Sequence, residues 1–389
     1  MGFLDGVTVL DLASVGPAAR ASRWLADYGA TVIKVGPVPA REGAQIVPPF
    51  YAYSAHRGMR RALIDLKSPA GVGAFLRLAA SADVVIESFR PGVADRLGIG
   101  YAAVREVRPS IVYCSTTGYG QDGPRSGWAG HDLNYQAVSG YLDATGRQAD
   151  GRPPIPGATL ADGAAGGLHA VAAILAALVG ARAPGGAAGT GAHLDVSIAD
   201  GMLALMALPV DEYLATGVVP APGHGILTGR YACYGVYGTA DGKWLAVAAI
   251  EPQFWANLCR LLGLSQWADR QLDDSVQDAI RADLDNVLAT RTRDEWVALL
   301  GPADTCVAPV LSVPEVVADE QFRARGCFVT ATAPAHGSFD QVGAVLAGMA
   351  PLGSVTAGDM SRSATASVLE EAGLDPASID DLLASGAIA

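Results

Sequence analysis

Cysteine, aromatic side chains and charge are all scarce in this 389-residue chain: five Cys, 7% Phe, Trp and Tyr together, and 17% Asp, Glu, Lys and Arg. The cysteines (Cys114, Cys233, Cys259, Cys306, Cys327) are scattered, with no C-x-x-C and no paired spacing. That excludes a disulfide framework or a zinc site and points to a reducing compartment. Basic residues are outnumbered, 27 against 39 acidic, for a formal charge of −12. A nucleic-acid binder advertises a basic footprint, so no nucleic-acid partner is expected. Also missing are G-x-G-x-x-G after the first apolar run, G-x-x-x-x-G-K-[ST] and G-x-S-x-G. Dinucleotide, P-loop and serine-hydrolase chemistry therefore lack their carriers. The six His lie far apart without metal-ligand spacing, and no metal is expected. MGFLDGVTVLDL has neither a basic n-region nor a cleavable apolar stretch. The expectation is a cytoplasmic protein without an export signal.

What is present is apolar and rich in small residues: 50% hydrophobic, with 47 Gly. The length predicts two domains, or one with a large excursion. The run Gly163–Ala181 carries no formal charge and has nearly the length of a membrane span. It is built of Ala and Gly, holds His169 and has no flanking aromatic belt, so it reads as a packed interior helix and no membrane partner is expected.

The first third alternates short apolar strands (Val7–Leu12, Thr31–Val35, Asp83–Ser88, Ser110–Ser115) with helical spacing (Ala18–Tyr28, Pro69–Ala80, Tyr101–Val107). That is the signature of a parallel sheet covered by helices, and such sheets bind ligands beyond the carboxyl ends of their strands. The loops after Leu12, Ser88 and Ser115 are where chemistry is expected. Farther on, His193–Ile198 reads as a strand, Asp200–Thr216 as a helix, Val218–Gly229 as a linker and Asp241-Gly242 as a hairpin turn. The tail from Ser361 reads as helical and acidic, with Gly373 a helix stop and Asp375 a cap.

Two neighbourhoods stand out chemically. The first gathers Arg57, Arg60, Arg61 and Lys67, then Phe89-Arg90-Pro91-Gly92 and Arg96. Guanidinium forks near strand ends suit a phosphate-bearing ligand, although any one of them also fits a solvated surface. The second runs from Gly118 to Tyr135 and holds His131 and Asp132 at a helix start; Asp162 opens the long apolar helix. Glycines after a strand let backbone approach a ligand closely. A lone His or an N-terminal Asp is more often a cap than a catalyst, and spacing alone does not bring the two together.

The segments VLDLASVGPAAR, LADYGATVIKV, DVVIESFRPGVADRLGIG, TGYGQDGP, AGHDLNY and TADGKWLAVAAIEPQFW resemble the family III CoA-transferase group, most closely its α-methylacyl-CoA racemases. The resemblance implies an α/β fold: a Rossmann-like large domain with a parallel sheet, a smaller α+β domain inserted in it, and an interlocked homodimer. The expected boundaries are 1–217, a linker 218–229, a small domain 230–328 and a return segment 329–389. It also implies that His131 and Asp162 flank the substrate α-carbon, with Asp132 beside them and Glu251 supporting the His. Coenzyme A, part of the substrate and not a separate cofactor, is expected against Arg57, Leu66, Lys67, Phe89, Arg90 and Arg96. After the second strand this chain reads Val35-Gly36-Pro37 where the family has an acidic residue and then Pro or Arg-Pro, and Arg41 is the candidate replacement for a CoA-contacting Arg.

A thioester acidifies its α-hydrogen, so a His and a carboxylate on opposite faces suffice to invert the centre by one proton off and one on. Backbone N–H groups at the helix start of Asp162 are candidates to hold the enolate oxygen. The alternative uses Asp162 as a nucleophile that passes CoA between acids through an aspartyl thioester. A Tyr replaces His131 in the formyl-CoA transferase type, and the tetraglycine loop of that type is missing here. A non-catalytic CoA-binding homologue is the third reading, opposed by the joint presence of His131, Asp162 and Glu251.

Overall fold

The computed structural model describes residues 2–39, 49–182, 189–345, 347–359 and 362–389; Arg41 lies outside them. The chain forms two compact units. The first comprises Met1–Ser139, Pro156–Met206 and Glu320–Ala389, the second Gly140–Ile155 and Ala207–Asp319.

The first unit is organised by six parallel strands: β1 (Thr8–Asp11), β2 (Thr31–Gly36), β3 (Met59–Leu63), β4 (Val84–Glu87), β5 (Val112–Thr117) and β6 (Ala192–Ser197). Their order is β3-β2-β1-β4-β5-β6. The order in which strands are added reverses between β1 and β4, so the loops after these two strands lead to opposite faces and open a crevice. Side chains alternate between the faces: Leu10, Ile33, Val85 and Tyr113 enter one buried cluster, while Val9, Val32, Val84 and Val112 enter the other. Burial on both faces explains why these strands read as continuous apolar runs.

The edge strand β3 was not foreseen. Its sequence MRRAL carries two arginines, and it looked like a basic surface patch. An edge position tolerates them, and Arg60 pairs with Glu371 at the end of the helix Thr365–Glu371 at 2.6 Å. The helix expected over Asp200–Thr216 is two, Ile198–Leu205 and Ala207–Thr216, and the break at Met206 is where the chain passes from one unit to the other.

The long apolar helix is present as Ala161–Leu168, wound as a π-helix, followed by α-helical His169–Arg182. By length and composition, Ala161–Ala181 matches a membrane span. In the fold it packs on the helix Gly16–Asp27, with Ala170, Val171, Ile174 and Leu178 buried under the sheet. Its glycines allow the approach: a Cβ on Gly166 would meet Pro17 at 2.6 Å, and one on Gly167 would meet Trp24 at 2.8 Å.

The chain from Glu320 onward adds a separate small sheet, β10 (Phe328–Ala333), β11 (Gly337–Val342) and β12 (Ser354–Thr356). It ends in helices Thr365–Glu371 and Pro376–Ala384, whose Val368, Leu369 and Ile379 join the main core. Gly373 has φ 85° and the Asp375 side chain caps Ser378 N–H, as the sequence suggested.

The second unit holds the antiparallel sheet β7 (Tyr234–Gly238), β8 (Trp244–Ala248) and β9 (Val307–Pro309). The β7–β8 turn carries Gly242 at φ 72°, the expected hairpin. Val218–Gly229 contains neither helix nor strand. Trp255, Leu258, Leu284 and Trp296 form the core of this unit.

Candidate active site

The loop after β1 is built on Asp11. Its buried carboxylate accepts from Ala13 N–H at 2.7 Å and from Ser22 Oγ, and pairs with Lys34 Nζ at 2.6 Å. Across the crevice, the loop after β4 is shaped by Glu87, which accepts the Phe89 N–H at 2.6 Å. Burial raises the Glu87 carboxyl above its ordinary range. Beyond it Gly92 takes φ 77°, and Arg96 Nη1 lies 3.3 Å from where a Cβ on Gly92 would sit. After β3, Asp65 Oδ1 accepts from Lys67 N–H at 3.1 Å. Lys67, Arg90 and Arg96 are exposed at these strand ends, while Leu66 and Phe89 pack half-buried on the main core. Among the described residues none of the three cations has a carboxylate partner.

Arg57 is placed differently. It is 3% exposed, and its guanidinium bridges both Asp27 oxygens at 3.1 Å, Gln341 Oε1 at 2.9 Å and the Val342 carbonyl at 2.7 Å. It ties the helix Gly16–Asp27 to β11. The geometry makes it a strut of the scaffold, because a buried guanidinium with these acceptors has no fork left to offer a phosphate.

The second neighbourhood is assembled around Asp132. His131 is the exposed N-cap of the helix Asp132–Val138, and its N–H bonds Asn134 Oδ1 at 2.9 Å. One turn inward, Asp132 Oδ2 accepts from Gln136 Nε2, and Asp132 Oδ1 accepts the N–H of Asp162 at 2.8 Å. This last bond clamps two helix starts thirty residues apart onto each other. It brings together the pair that spacing could not. Burial raises the Asp162 carboxyl, and the negative charge of Asp132 raises it further, while Arg20 and His131 pull it the other way. Asp132, expected among the catalytic groups, holds the start of the Asp162 helix through this bond.

Two expectations are corrected here. Asp162 N–H is given to Asp132, and Gly163 N–H to the Thr159 carbonyl at 2.9 Å. Neither is free to hold an enolate oxygen. Gly118 and Gly130 serve packing and not ligand approach: a Cβ at either would run into the Tyr135 ring at 2.6–2.8 Å. Tyr135 Oη donates to the Gly130 carbonyl at 2.6 Å, and its ring meets Tyr119 edge-on at 5.2 Å. Its hydroxyl is pushed up to about 12, by burial first, and stays a proton donor.

The sequence reading missed Arg20 and Tyr53. Arg20 Nη2 donates to Thr159 Oγ1 at 2.8 Å, and Arg20 Cζ lies 6.0 Å from the Tyr53 ring centroid. Tyr53 opens four consecutive left-handed residues, Tyr53–His56, with φ between 49° and 54°. Non-glycine residues in such a turn cost about 1–2 kcal/mol each. Tyr53 Oη accepts the Gly16 N–H at 2.8 Å, one interaction that holds the turn. No local signal marks these residues, since they meet only through tertiary contacts.

Glu251 belongs to the second unit. It is the exposed N-cap of the helix Pro252–Leu262, and the Cys306 thiol, raised first by its burial, is raised further by the Glu251 charge. The first unit assembles the His131–Asp162 pair from its own elements. Among the described residues no group of three His, Cys, Asp or Glu is placed to hold a metal ion.

A six-stranded parallel α/β sheet with the helix starts at Asp132 and Asp162 clamped together, His131 capping the first, defines the class. The chain belongs to CoA-transferase family III, whose family model matches residues 4–357. It is 34% identical over 329 residues to the human α-methylacyl-CoA racemase, covering 84% of this chain and 82% of that one. It is also 34% identical over 344 residues to the succinate–glutarate CoA-transferase of Agrobacterium fabrum, covering 83% and 84%. Among solved structures, a CaiB/BaiF family protein from Brucella suis superposes with a TM-score of 0.70 at 31% identity, covering 84% and 89%.

Proposed function

We propose that the protein epimerises a 2-methylacyl-CoA by moving one proton off and one proton onto the α-carbon. The observation that supports this reading is the Asp132 Oδ1 to Asp162 N–H bond, with a raised Asp162 carboxyl that feels the charge of His131. One group takes the α-proton while the C–H electron pair moves into the thioester enolate. The other group, protonated, returns a proton to the opposite face, and the thioester stays intact. Which of the two acts as base depends on the epimer bound. Lys67, Arg90 and Arg96 supply the fields for the phosphates of CoA, with Leu66 and Phe89 beside them. No metal or redox group is needed for this proton traffic. The proposal includes a cytoplasmic homodimer. Leu208, Tyr213 and Leu214 are large apolar side chains exposed on Ala207–Thr216, and they support a surface that a second copy covers. Glu251 is proposed to support His131 in that assembly.

The second reading rests on the transferase relative at the same identity. There the Asp162 carboxylate attacks the thioester carbonyl and expels CoA thiolate, which then attacks the aspartyl carbonyl and releases the donor acid. Incubation of one 2-methylacyl-CoA epimer in heavy water, without an acceptor acid, separates the two. The other epimer carrying α-deuterium supports the first reading. No exchange, with CoA passing to an added acid and hydroxylamine trapping Asp162, supports the second. Under the first, His131→Ala and Asp162→Asn each lose roughly 10²- to 10⁴-fold in kcat. Where Asp162 acts as base or nucleophile, the acid limb of kcat/KM lies above the ordinary aspartate range. Asp132→Asn moves that limb to lower pH, because it removes a negative charge that raises Asp162.

A further inference from the structure

Asp162 sits on a segment wound differently from the helix it opens. Ala161–Leu168 is a π-helix and His169–Arg182 an α-helix, and at their junction the His169 N–H donates to the Ala164 carbonyl, five residues back. In an α-helix the partner is four back, so the chain here holds one residue more than an α-helical turn needs. Residues seven apart on an α-helix stand nearly above one another, two turns along. Carried back unbroken, the register of His169–Arg182 would put Asp162 above His169 and Ala176, both exposed. The extra residue moves Asp162 by one place, about 100° around the axis, to stand above the fully buried Ala170. The half-buried Asp162 and its N–H bond to Asp132 Oδ1 fit that placement and not the exposed one.

The wide turn is locked from two sides within the first unit. Gly166 and Gly167 press on the helix Gly16–Asp27, and a Cβ on Gly167 would also come within 3.1 Å of the Asp162 carbonyl across the turn. From the other side, Gly201 of the helix Ile198–Leu205 meets the Ala165 carbonyl so closely that a Cβ on it would lie 2.1 Å away. Rewinding the turn would drive these groups against both neighbours. The buried stripe Ala170, Val171, Ile174 and Leu178 follows the turn in the chain, so the phase of Asp162 alone depends on it. We propose that this π turn is the positioning device of the site: its one extra residue swings Asp162 from the solvent side of its helix to the substrate side, and Gly166, Gly167 and Gly201 are the positioning residues that hold it there. This rests on the reading of Asp162 as a reacting group, and it holds whether the site moves a proton or CoA.

Two length variants of the full-length protein test the register. Deletion of Ala164 brings the carbonyl and N–H partners across the turn from five residues apart to four, so the segment winds as an α-helix with Asp162 still above Ala170. It is expected to keep α-deuterium incorporation, or hydroxylamine trapping, within about tenfold of the wild type. Insertion of one alanine after Ala164 turns Asp162 about 100° further and is expected to lose roughly 10²- to 10⁴-fold in kcat, with affinity for free CoA unchanged. A second readout follows the Asp162 carboxyl by carbon NMR in aspartate-labelled protein, assigned with Asp162→Asn. It titrates above the ordinary aspartate range in the wild type and the deletion, and within that range in the insertion. An insertion variant that keeps the rate overturns the proposal, as does a folded deletion variant that loses it as fully as Asp162→Asn. So does a carboxyl titration that all three proteins share. Should one variant not fold, the other carries the test. A wild type that shows neither reaction loses the proposed function, and the titration still decides the register.

Discussion

Two sets of basic side chains belong to the same unit and have opposite fates. Arg23, Lys34 and Arg57 are buried and matched to Asp27 and Asp11 at 2.6–3.1 Å. Lys67, Arg90 and Arg96 are exposed, on turns whose backbone is held by Asp65, Glu87 and Gly92. The first set had to be paired, because an isolated charge in the interior costs several kcal/mol. The second set, kept in water, is tolerated unpaired and remains open to an anionic ligand. In a chain with net charge −12, the location of a cation says more than its presence. Arg57 and Lys67 look alike in sequence, and the acceptor Asp27 makes the difference.

The contrast can be broken most forcefully at Arg57. Arg57→Met is expected to cost about 3 kcal/mol of stability, since it leaves Asp27 buried with Arg23 as its remaining partner. Denaturant titration measures the loss; a stable variant with weakened CoA binding instead would move Arg57 into the other set. His56 sharpens the comparison from within the buried set. Burial first, then the positive charge of Lys34, depresses its imidazole to about 4. The folded state therefore binds fewer protons than the unfolded state between pH 6.5 and 4. Stability present above pH 6.5 is lost as the pH falls through that window, on the order of 3 kcal/mol in all. His56→Asn tolerates the left-handed backbone and removes this share of the acid sensitivity, which melting at pH 7 and pH 4.5 reads. A variant with the parent's pH dependence would show that the imidazole is not held neutral.

The exposed set gives the smallest effect. Arg90→Ala and Arg96→Ala are each expected to leave stability within about 0.5 kcal/mol. Each weakens CoA binding roughly tenfold, and the deficit narrows as salt is added. A melting loss like that of Arg57→Met, or CoA affinity indifferent to both changes, would erase the distinction between the two sets.

The strands were legible because their residues are buried on both faces, and burial leaves a compositional trace in every residue of a run. The helix Pro69–Ala80 was legible through its proline start and its period. The strand β3 was not, because an edge strand bearing Arg60 and Arg61 carries no apolar run. The site was half legible. The residue types His131, Asp132 and Asp162 stood out, and their roles came only from a family resemblance. That Asp132 serves Asp162, and that Gly118 and Gly130 serve Tyr135, are facts of packing.

The sequence by itself determined the layer architecture, the hairpin at Asp241-Gly242 and the family, because these follow from periodicity, turn chemistry and contiguous motifs. Only the tertiary structure decided which cations are struts and which are free. It also revealed Arg20 within the field of Asp162 and the left-handed turn Tyr53–His56 beside Arg20. Hydrogen bonds and ion pairs depend on distances of a few ångströms, and residues far apart in the chain reach those distances only when the sheet and the glycine-lined helices bring them together.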